Sequence, residues 1–323
     1  MGKRSIVDLF SILKKQPFLL AVFLIIILGA TFPFYVPPWI VIVFTSIGMY
    51  TILSVSWAAF CVPTNYISLA TSTFFGVGIY ASAIFQDLPL PVVIIIAGGI
   101  SLGVGLLVGL ATLRLHGMYF AIFTFGLTEL ARHLMTWYEV NITGTVGRYL
   151  PPMNLNTAYY YILALLVVTL IFFYFFRRHR FGVALRSIGQ SAEAAAHIGI
   201  NVNQVKILSF AITCFFMGAT GAIMATRWSY VDPSLAFHPF ITFFAVMMVI
   251  VGGWYSLGWG PLIGSIVLTT LSDTVLAEVA NLTMLLFGVI LIAVILFFPG
   301  GIMGLVESRL KDRQNKDSYA RAP

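Results

Sequence analysis

The sequence predicts an all-α, polytopic integral membrane protein, and three observations carry that prediction. Hydrophobic residues make up 60% of the 323 and charged ones only 9%, where soluble domains hold about 45–50% and about 25%. Apolar runs of about 20 residues recur along the chain, each long enough as a helix to cross about 30 Å of hydrocarbon. Those runs are continuous rather than alternating, which selects helices over barrel strands, the two structures that satisfy every backbone polar group inside lipid.

Taken in order, the candidate spans are Pro17–Val36, Trp39–Phe60, Tyr66–Phe85, Pro91–Leu113, Met118–Trp137, Tyr159–Phe176, Ile207–Ala225, Phe240–Val251, Pro261–Leu276 and Met284–Phe298. The first follows a basic N-terminus as a signal peptide would, but it is too long, lacks a small-x-small cleavage site and leads at once into another apolar run. It reads as the first span. The eighth and ninth are short and flanked by Gly and Pro, the pattern of a broken or re-entrant helix, so about 8–10 transmembrane helices are expected.

Fourteen of the 18 Lys and Arg residues fall in three segments: the N-terminus (Lys3, Arg4, Lys14, Lys15), a central loop (Arg177, Arg178, Arg180, Arg186, Lys206) and the tail (Arg309, Lys311, Arg313, Lys316, Arg321). By the positive-inside rule all three face the cytoplasm, and six crossings before Arg177 with four after Lys206 satisfy that parity. The domain organisation expected is a cytoplasmic segment 1–16, a transmembrane domain 17–306 containing the cytoplasmic loop 177–206, and a charged cytoplasmic tail 307–323. Topology and lipid headgroups account for nearly all of these basic residues, so the net charge of +7 points to no nucleic acid. The two cysteines, Cys61 and Cys214, lie in separate apolar runs and read as buried structural thiols.

The central loop, RRHRFGVALRSIGQSAEAAAHIGINVNQVK (Arg177–Lys206), is long for a connection between spans, and long loops tend to be functional. Ser191 is placed as N-cap of a short helix Ala192–Ile198, with Glu193 in its first turn and Gly199 as its C′ residue. Asn201 or Asn203 caps the start of the next span. Such a short helix is marginal alone in water and must rest on something: headgroups, or a soluble partner.

Glu193-Ala194-Ala195 followed by Gly199 resembles the E-A-A-x-x-x-G coupling motif of ABC importer permeases. The wider sequence is similar to the branched-chain amino acid permease family, specifically its longer permease subunit. The agreement runs in order through SLATSTFFGVGIYASA (Ser68–Ala83), RLHGMYFAIFTFGLTELAR (Arg114–Arg132), ITGTVG (Ile142–Gly147), Phe181–Phe210, YVDPS (Tyr230–Ser234) and WGPLIGS (Trp259–Ser265). It departs at Ala70-Thr71, where the family usually has Gly-His, and in Gly252–Pro261, one residue longer than the family pattern. The resemblance implies a subunit that moves branched-chain or related amino acids inward. It implies as partners a second homologous permease, two cytoplasmic ATPases that bind ATP and Mg, and an extracytoplasmic solute-binding protein, with no cofactor on this chain. It also implies a bacterial or archaeal inner membrane, and Glu193, Ala194, Ala195 and Gly199 as the ATPase-coupling element. Relatives of this fold also carry urea, short amides and simple sugars. The chain has no G-x-x-x-x-G-K-[ST] phosphate loop, so the usual nucleotide cradle would have to lie elsewhere.

Polar groups within spans are costly and mark function or pairing. Glu129 lies i,i+3 from Arg132 and i,i+4 from His133, spacing that allows one paired helical face; the readings are a structural ion pair or one wall of the translocation path. Ser68, Thr71, Ser72 and Thr73 sit where a helix could break and expose backbone to a solute, and are candidate path-lining residues. Asp273 and Glu278 read as an outer aqueous boundary. Glycines at small-xxx-small spacing, among them Gly78, Gly98, Gly105, Gly218 and Gly221, read as close helix packing. Gly99-Ile100-Ser101-Leu102-Gly103 matches the nucleophile pattern of serine hydrolases, but it lies in an apolar span without the strand–turn–helix setting that chemistry needs. The five histidines show no metal spacing. A carrier driven by an ion gradient is the competing class; it would be expected to show internal repeats and a midplane ion site, and neither is visible.

Overall fold

The computed structural model describes residues 29–113, 115, 117–228, 230–253, 259–275, 283–297 and 300–304. In chain order its helices are α1 (Pro38–Thr64), α2 (Thr71–Ile84), α3 (Leu90–Thr112), α4 (Met118–Tyr138), α5 (Leu155–Arg178), α6 (Arg180–Gln190), α7 (Ala192–His197), α8 (Val202–Ala225), α9 (Pro233–Ala236), α10 (Pro239–Gly252), α11 (Gly260–Thr270) and α12 (Thr283–Phe297). Two π turns extend α4 (Glu139–Thr143) and α11 (Leu271–Val275). The described strands are β1 (Arg148–Tyr149) and β2 (Tyr230–Val231), one antiparallel ribbon with Arg148 opposite Val231. The protein is all-α and built to sit in a membrane. Among the described residues five helical stretches, α1, α3, α5, α8 and Pro233–Gly252, are long and apolar enough to cross one.

Proline in the first turn, where its missing N–H has no intrahelical partner to lose, starts α1, α3, α10 and α11. The core surrounds α8, buried along most of its length from Ser209 to Ala225. Helix α3 runs antiparallel beside it. Ile207 and Phe210 of α8 lie by Gly109, Cys214 by Gly105, and Phe215 by Gly98. Near the other end Val93, Ala97 and Ala222 share a cluster with Ala81 of α2.

These contacts sort the helix termini into two ends. The C-terminus of α1 meets the end of α6, since a Cβ on Gly189 would stand 1.9 Å from the Pro63 carbonyl oxygen. The C-terminus of α5, the short helices α6 and α7, and the N-terminus of α8 therefore share one end. The opposite end carries the β ribbon, the π turn after α4, and α9. Arg227 belongs there, its Nη1 donating to Ser46 Oγ at 3.2 Å near the start of α1. Burial holds the Arg227 guanidinium below its ordinary pKa, with Asp273 pulling the other way. Asp273 itself is exposed.

Most expected spans are helices shifted by a few residues. Tyr66–Phe85 is not one helix: residues 65–70 are non-helical and only Thr71–Ile84 coils. Pro261–Leu276 is an eleven-residue helix followed by a π turn. Arg180–Gln190, expected as loop, is an amphipathic helix that buries Gly182, Leu185 and Ile188. Residues 17–28 of the first expected span, the basic N-terminal segment, Glu278, residues 254–258 of the glycine-rich segment and the charged tail lie outside the described residues.

Candidate functional site

The candidate site has two parts, a knob at one end of the bundle and a break in the crossing that begins above it. Both are built by local chemistry. Ser191 Oγ accepts from the Ala194 N–H at 3.2 Å and so caps α7. At the other terminus the Gly199 N–H donates to Ala196 O at 3.0 Å and the Ile200 N–H to Ala195 O at 3.1 Å. That is the Schellman pair, which needs a left-handed residue between helix and exit, and Gly199 has φ of +88°. Asn201 Oδ1 then accepts from the Gln204 N–H at 3.2 Å and caps α8. Six helical residues are thus closed at both ends by side chains and backbone of the loop itself.

Of the coupling residues expected, Ala195 faces inward and is buried, while Glu193, Ala194 and Gly199 are exposed. Nothing lies within 4 Å of a Cβ built on Gly199. Ile198 beside it is 74% exposed, an apolar tip on a small-residue surface. The knob stands on α6, which is seated against the end of α1.

The break begins at Asn65, the one non-glycine residue with positive φ (58°) among the described residues. Asparagine tolerates this left-handed conformation better than most residues. Beyond it the non-helical backbone is satisfied from the side. Ser68 O accepts from Trp57 Nε1 at 2.7 Å, and the Leu69 N–H donates to Thr124 Oγ1 at 2.9 Å. Thr128 Oγ1 donates to Leu69 O at 3.3 Å and pairs with Thr73 Oγ1 at 2.8 Å. The Ser72 N–H donates to Thr242 Oγ1 at 2.9 Å, and that hydroxyl donates to Ser72 Oγ at 3.0 Å. Three elements (α1, α4 and α10) supply what a continuous helix would have satisfied alone.

The structure therefore brings Ser68, Thr71, Ser72 and Thr73 together, and buries all four within this chain. Thr71 Oγ1 is buried without a hydrogen-bond partner. A small cavity of about 10 Å³, room for about one water, lies between Trp57, Phe60, Cys61, Ser68, Phe74 and Phe210. Glu129 and Arg132 are not part of this cluster. They pair with each other on α4, Arg132 Nε donating to Glu129 Oε2 at 3.1 Å, and His133 Nε2 stands 4.0 Å from the same oxygen. All three are at least partly exposed on a helix whose buried positions are Phe120, Thr124 and Thr128. Ser101 of the hydrolase-like pattern donates to Phe74 O at 3.2 Å in mid-helix, a packing contact between α3 and α2. Among the described residues no three His, Cys, Asp or Glu side chains come together as a metal site.

Two features are not legible in the sequence: the burial of Glu139, and that of Lys206, expected to face the cytoplasm with the other basic residues of its loop. The Glu139 carboxylate is buried at the end opposite the knob, accepting the Gly147 N–H at 2.8 Å with Arg148 Nε 3.8 Å away. Lys206 is also buried, its Nζ 4.0 Å from the centroid of the Tyr66 ring. Neither signal was local: a Glu at the end of an apolar run and a Lys at the start of one both read as boundary residues.

Residues 39–295 match the family described as branched-chain amino acid transport system, permease component. The chain belongs to this family. The matched region holds both parts of the candidate site. The permease also resembles two proteins named high-affinity branched-chain amino acid transport system permease protein LivM. That of Salmonella typhimurium is 24% identical over 337 aligned residues, covering 93% of this chain and 78% of the relative. That of Escherichia coli is 24% identical over 336, with the same coverage. No solved structure matches the permease.

Proposed function

We propose that this permease is the membrane-spanning subunit of an ATP-driven importer that passes branched-chain or related amino acids into the cytoplasm. Two separate ATPase subunits hold ATP and Mg, and one of them docks on Glu193–Gly199. A second homologous permease completes the channel, and an extracytoplasmic binding protein delivers the solute. The membrane is the inner membrane of a bacterial or archaeal cell, with the knob end and both termini cytoplasmic.

The knob carries this reading. A six-residue helix capped at both ends, with an exposed apolar tip and an open glycine surface, has the form of a rigid plug for a groove in a partner. A plug seated in a nucleotide-driven subunit turns that subunit's closure into rocking of the helices behind it. Arg177, Arg178, Arg180, Arg186 and Lys206 cluster at this end, which supports its cytoplasmic placement. The relatives' names support the solute class.

The test is purification of the native chain and Gly199→Trp in mild detergent, identifying what accompanies each. A nucleotide-binding ATPase that comes with the native chain and not with the variant, both chains staying monodisperse, is the expected result. A gradient-driven carrier is the competing reading, because discontinuous crossings recur in such proteins. An absent ATPase, together with uptake that collapses on dissipating the ion gradient, would establish it instead.

A further inference from the structure

The two flanks of the knob hold two consecutive residues at the root of the break. On the entering flank, Gly189 lies two positions before Ser191, the cap of α7, and its carbonyl accepts from Asn65 Nδ2 at 2.9 Å. On the leaving flank, Lys206 lies seven positions after Gly199, and its ammonium sits over the ring of Tyr66. Lys206 is 3% exposed. A desolvated cation held against an aromatic face is a strong, orienting contact, and it is an unusual place to spend a lysine that could have reached water. Tyr66 also packs edge-on against Phe120 at the start of α4, ring centroids 5.6 Å apart.

We infer that Asn65 and Tyr66 are the positioning residues through which the knob moves the discontinuous crossing. This deepens the importer reading and rests on it. Residues 66–70 make no helix of their own, and their backbone is fastened from the side at Ser68 and Leu69, which leaves it little freedom to buckle. Displacement of their root is passed to the start of α2, where Ser68, Thr71, Ser72 and Thr73 lie. An ordinary loop there would absorb the same displacement in its own dihedral angles. The lateral hydrogen bonds with Trp57, Thr124 and Thr128 guide the segment, while the knob holds its lower end from two sides.

The experiment uses the complete complex with its co-purified partners, reconstituted in liposomes. ATP hydrolysis and uptake of radiolabelled leucine, isoleucine and valine are measured together. Asn65→Gly keeps the left-handed backbone and removes the amide; Tyr66→Leu and Lys206→Met each remove the cation–ring contact from one side. All three are expected to retain the ATPase and hydrolyse ATP within about twofold of the native complex. Solute carried per ATP is expected to fall tenfold or more, with Tyr66→Phe and Lys206→Arg restoring it. Uptake and hydrolysis falling in proportion, an unchanged ratio, or a Tyr66→Phe defect equal to that of Tyr66→Leu would each overturn the inference and leave these residues a structural anchor. If Tyr66→Leu does not fold, Lys206→Met reads the same contact. A native complex that contains the ATPase and shows no ATP-dependent uptake of any of the three solutes overturns the transport reading itself, a different failure from an unaltered ratio in an active complex.

Discussion

The carbonyl oxygen of Gly218 lies 1.9 Å from where a Cβ on Gly78 would stand. The two helices that carry them, α2 and α8, therefore touch backbone to backbone, and a Cβ on Gly221 would meet the Phe75 carbonyl at 2.0 Å. Close approach of this kind is how membrane helices gain packing without a hydrophobic driving force. It also fixes the helix that follows the break against the most buried helix of the bundle. Gly78→Ala is expected to destabilise the protein by about 1–3 kcal/mol through overpacking against backbone that cannot step aside. Gly99→Ala, with nothing within 4 Å of its Cβ, is expected to be neutral or slightly stabilising. Thermal unfolding in detergent, followed by loss of the monodisperse peak, checks the pair; equal midpoints would refute the crossing.

Gly199 is a different kind of glycine: it has room for a side chain and lacks the backbone for one. At φ of +88° a β-branched residue is strained by about 1–2 kcal/mol, whereas asparagine visits that region. Gly199→Val is expected to fray α7 and weaken ATPase retention, and Gly199→Asn to preserve most of it. Because the knob stands outside the bundle, the unfolding midpoint of the spans is expected to hold in both. Co-purification yield and melting temperature, measured on the same preparations, separate the two effects.

What the sequence reveals follows the range of the forces involved. The spans were legible because each apolar run states its own requirement. So were Ser191 and Gly199, and the cap of α8 to within two candidates, Asn201 and Asn203, since capping is chemistry between residues two to five apart. The break was legible only as a place where hydroxyls and glycine gather. That residues 66–70 stay uncoiled depends on Trp57, Thr124 and Thr128, which arrive from other elements. Helix α6 is not legible because Gly182 and Gly189 lower its propensity. Its glycines are there for contact, Gly182 against the Phe176 and Arg177 backbone and Gly189 against Pro63. Glu129 and Arg132 were correctly spaced to pair, and their pairing stays within α4.

The opposite end of the bundle depends on one carboxylate. Glu139 accepts the Gly147 N–H while Arg148 approaches its other oxygen, tying the π turn after α4 to the strand that pairs with Tyr230 and Val231. Glu139→Leu leaves the Gly147 N–H without its acceptor and Arg148 without its counter-charge, and is expected to cost about 2–3 kcal/mol. Glu139→Gln keeps an acceptor for Gly147 and is expected to cost less. Limited proteolysis between residues 139 and 150 offers a local readout: faster cutting in the leucine variant than in the glutamine variant is expected, and equal rates would show that the carboxylate does not hold the turn.

Thr124 and Thr128 make the sharpest prediction about the break. Threonine in a helix usually returns its hydroxyl to its own backbone, and Thr124 Oγ1 does donate to Phe120 O at 2.9 Å. Its lone pair remains available, and it receives the Leu69 N–H. Thr124→Val removes that acceptor at constant shape, leaving a backbone N–H without its partner at a cost of about 1–3 kcal/mol. Thr124→Ser keeps the acceptor and loses only a methyl group. If residues 66–70 are held uncoiled by their neighbours, the valine variant is expected to lower the melting temperature and the serine variant to recover most of the loss. Thr128→Val is expected to act in the same direction, because it strips Leu69 O and Thr73 of one hydroxyl at once. The double variant is expected to cost less than the sum of the two, since both threonines serve the same residue and a segment already freed has less left to lose. Strict additivity would mean that each threonine stabilises α4 separately, and that the break is held by something other than the two hydroxyls that reach it.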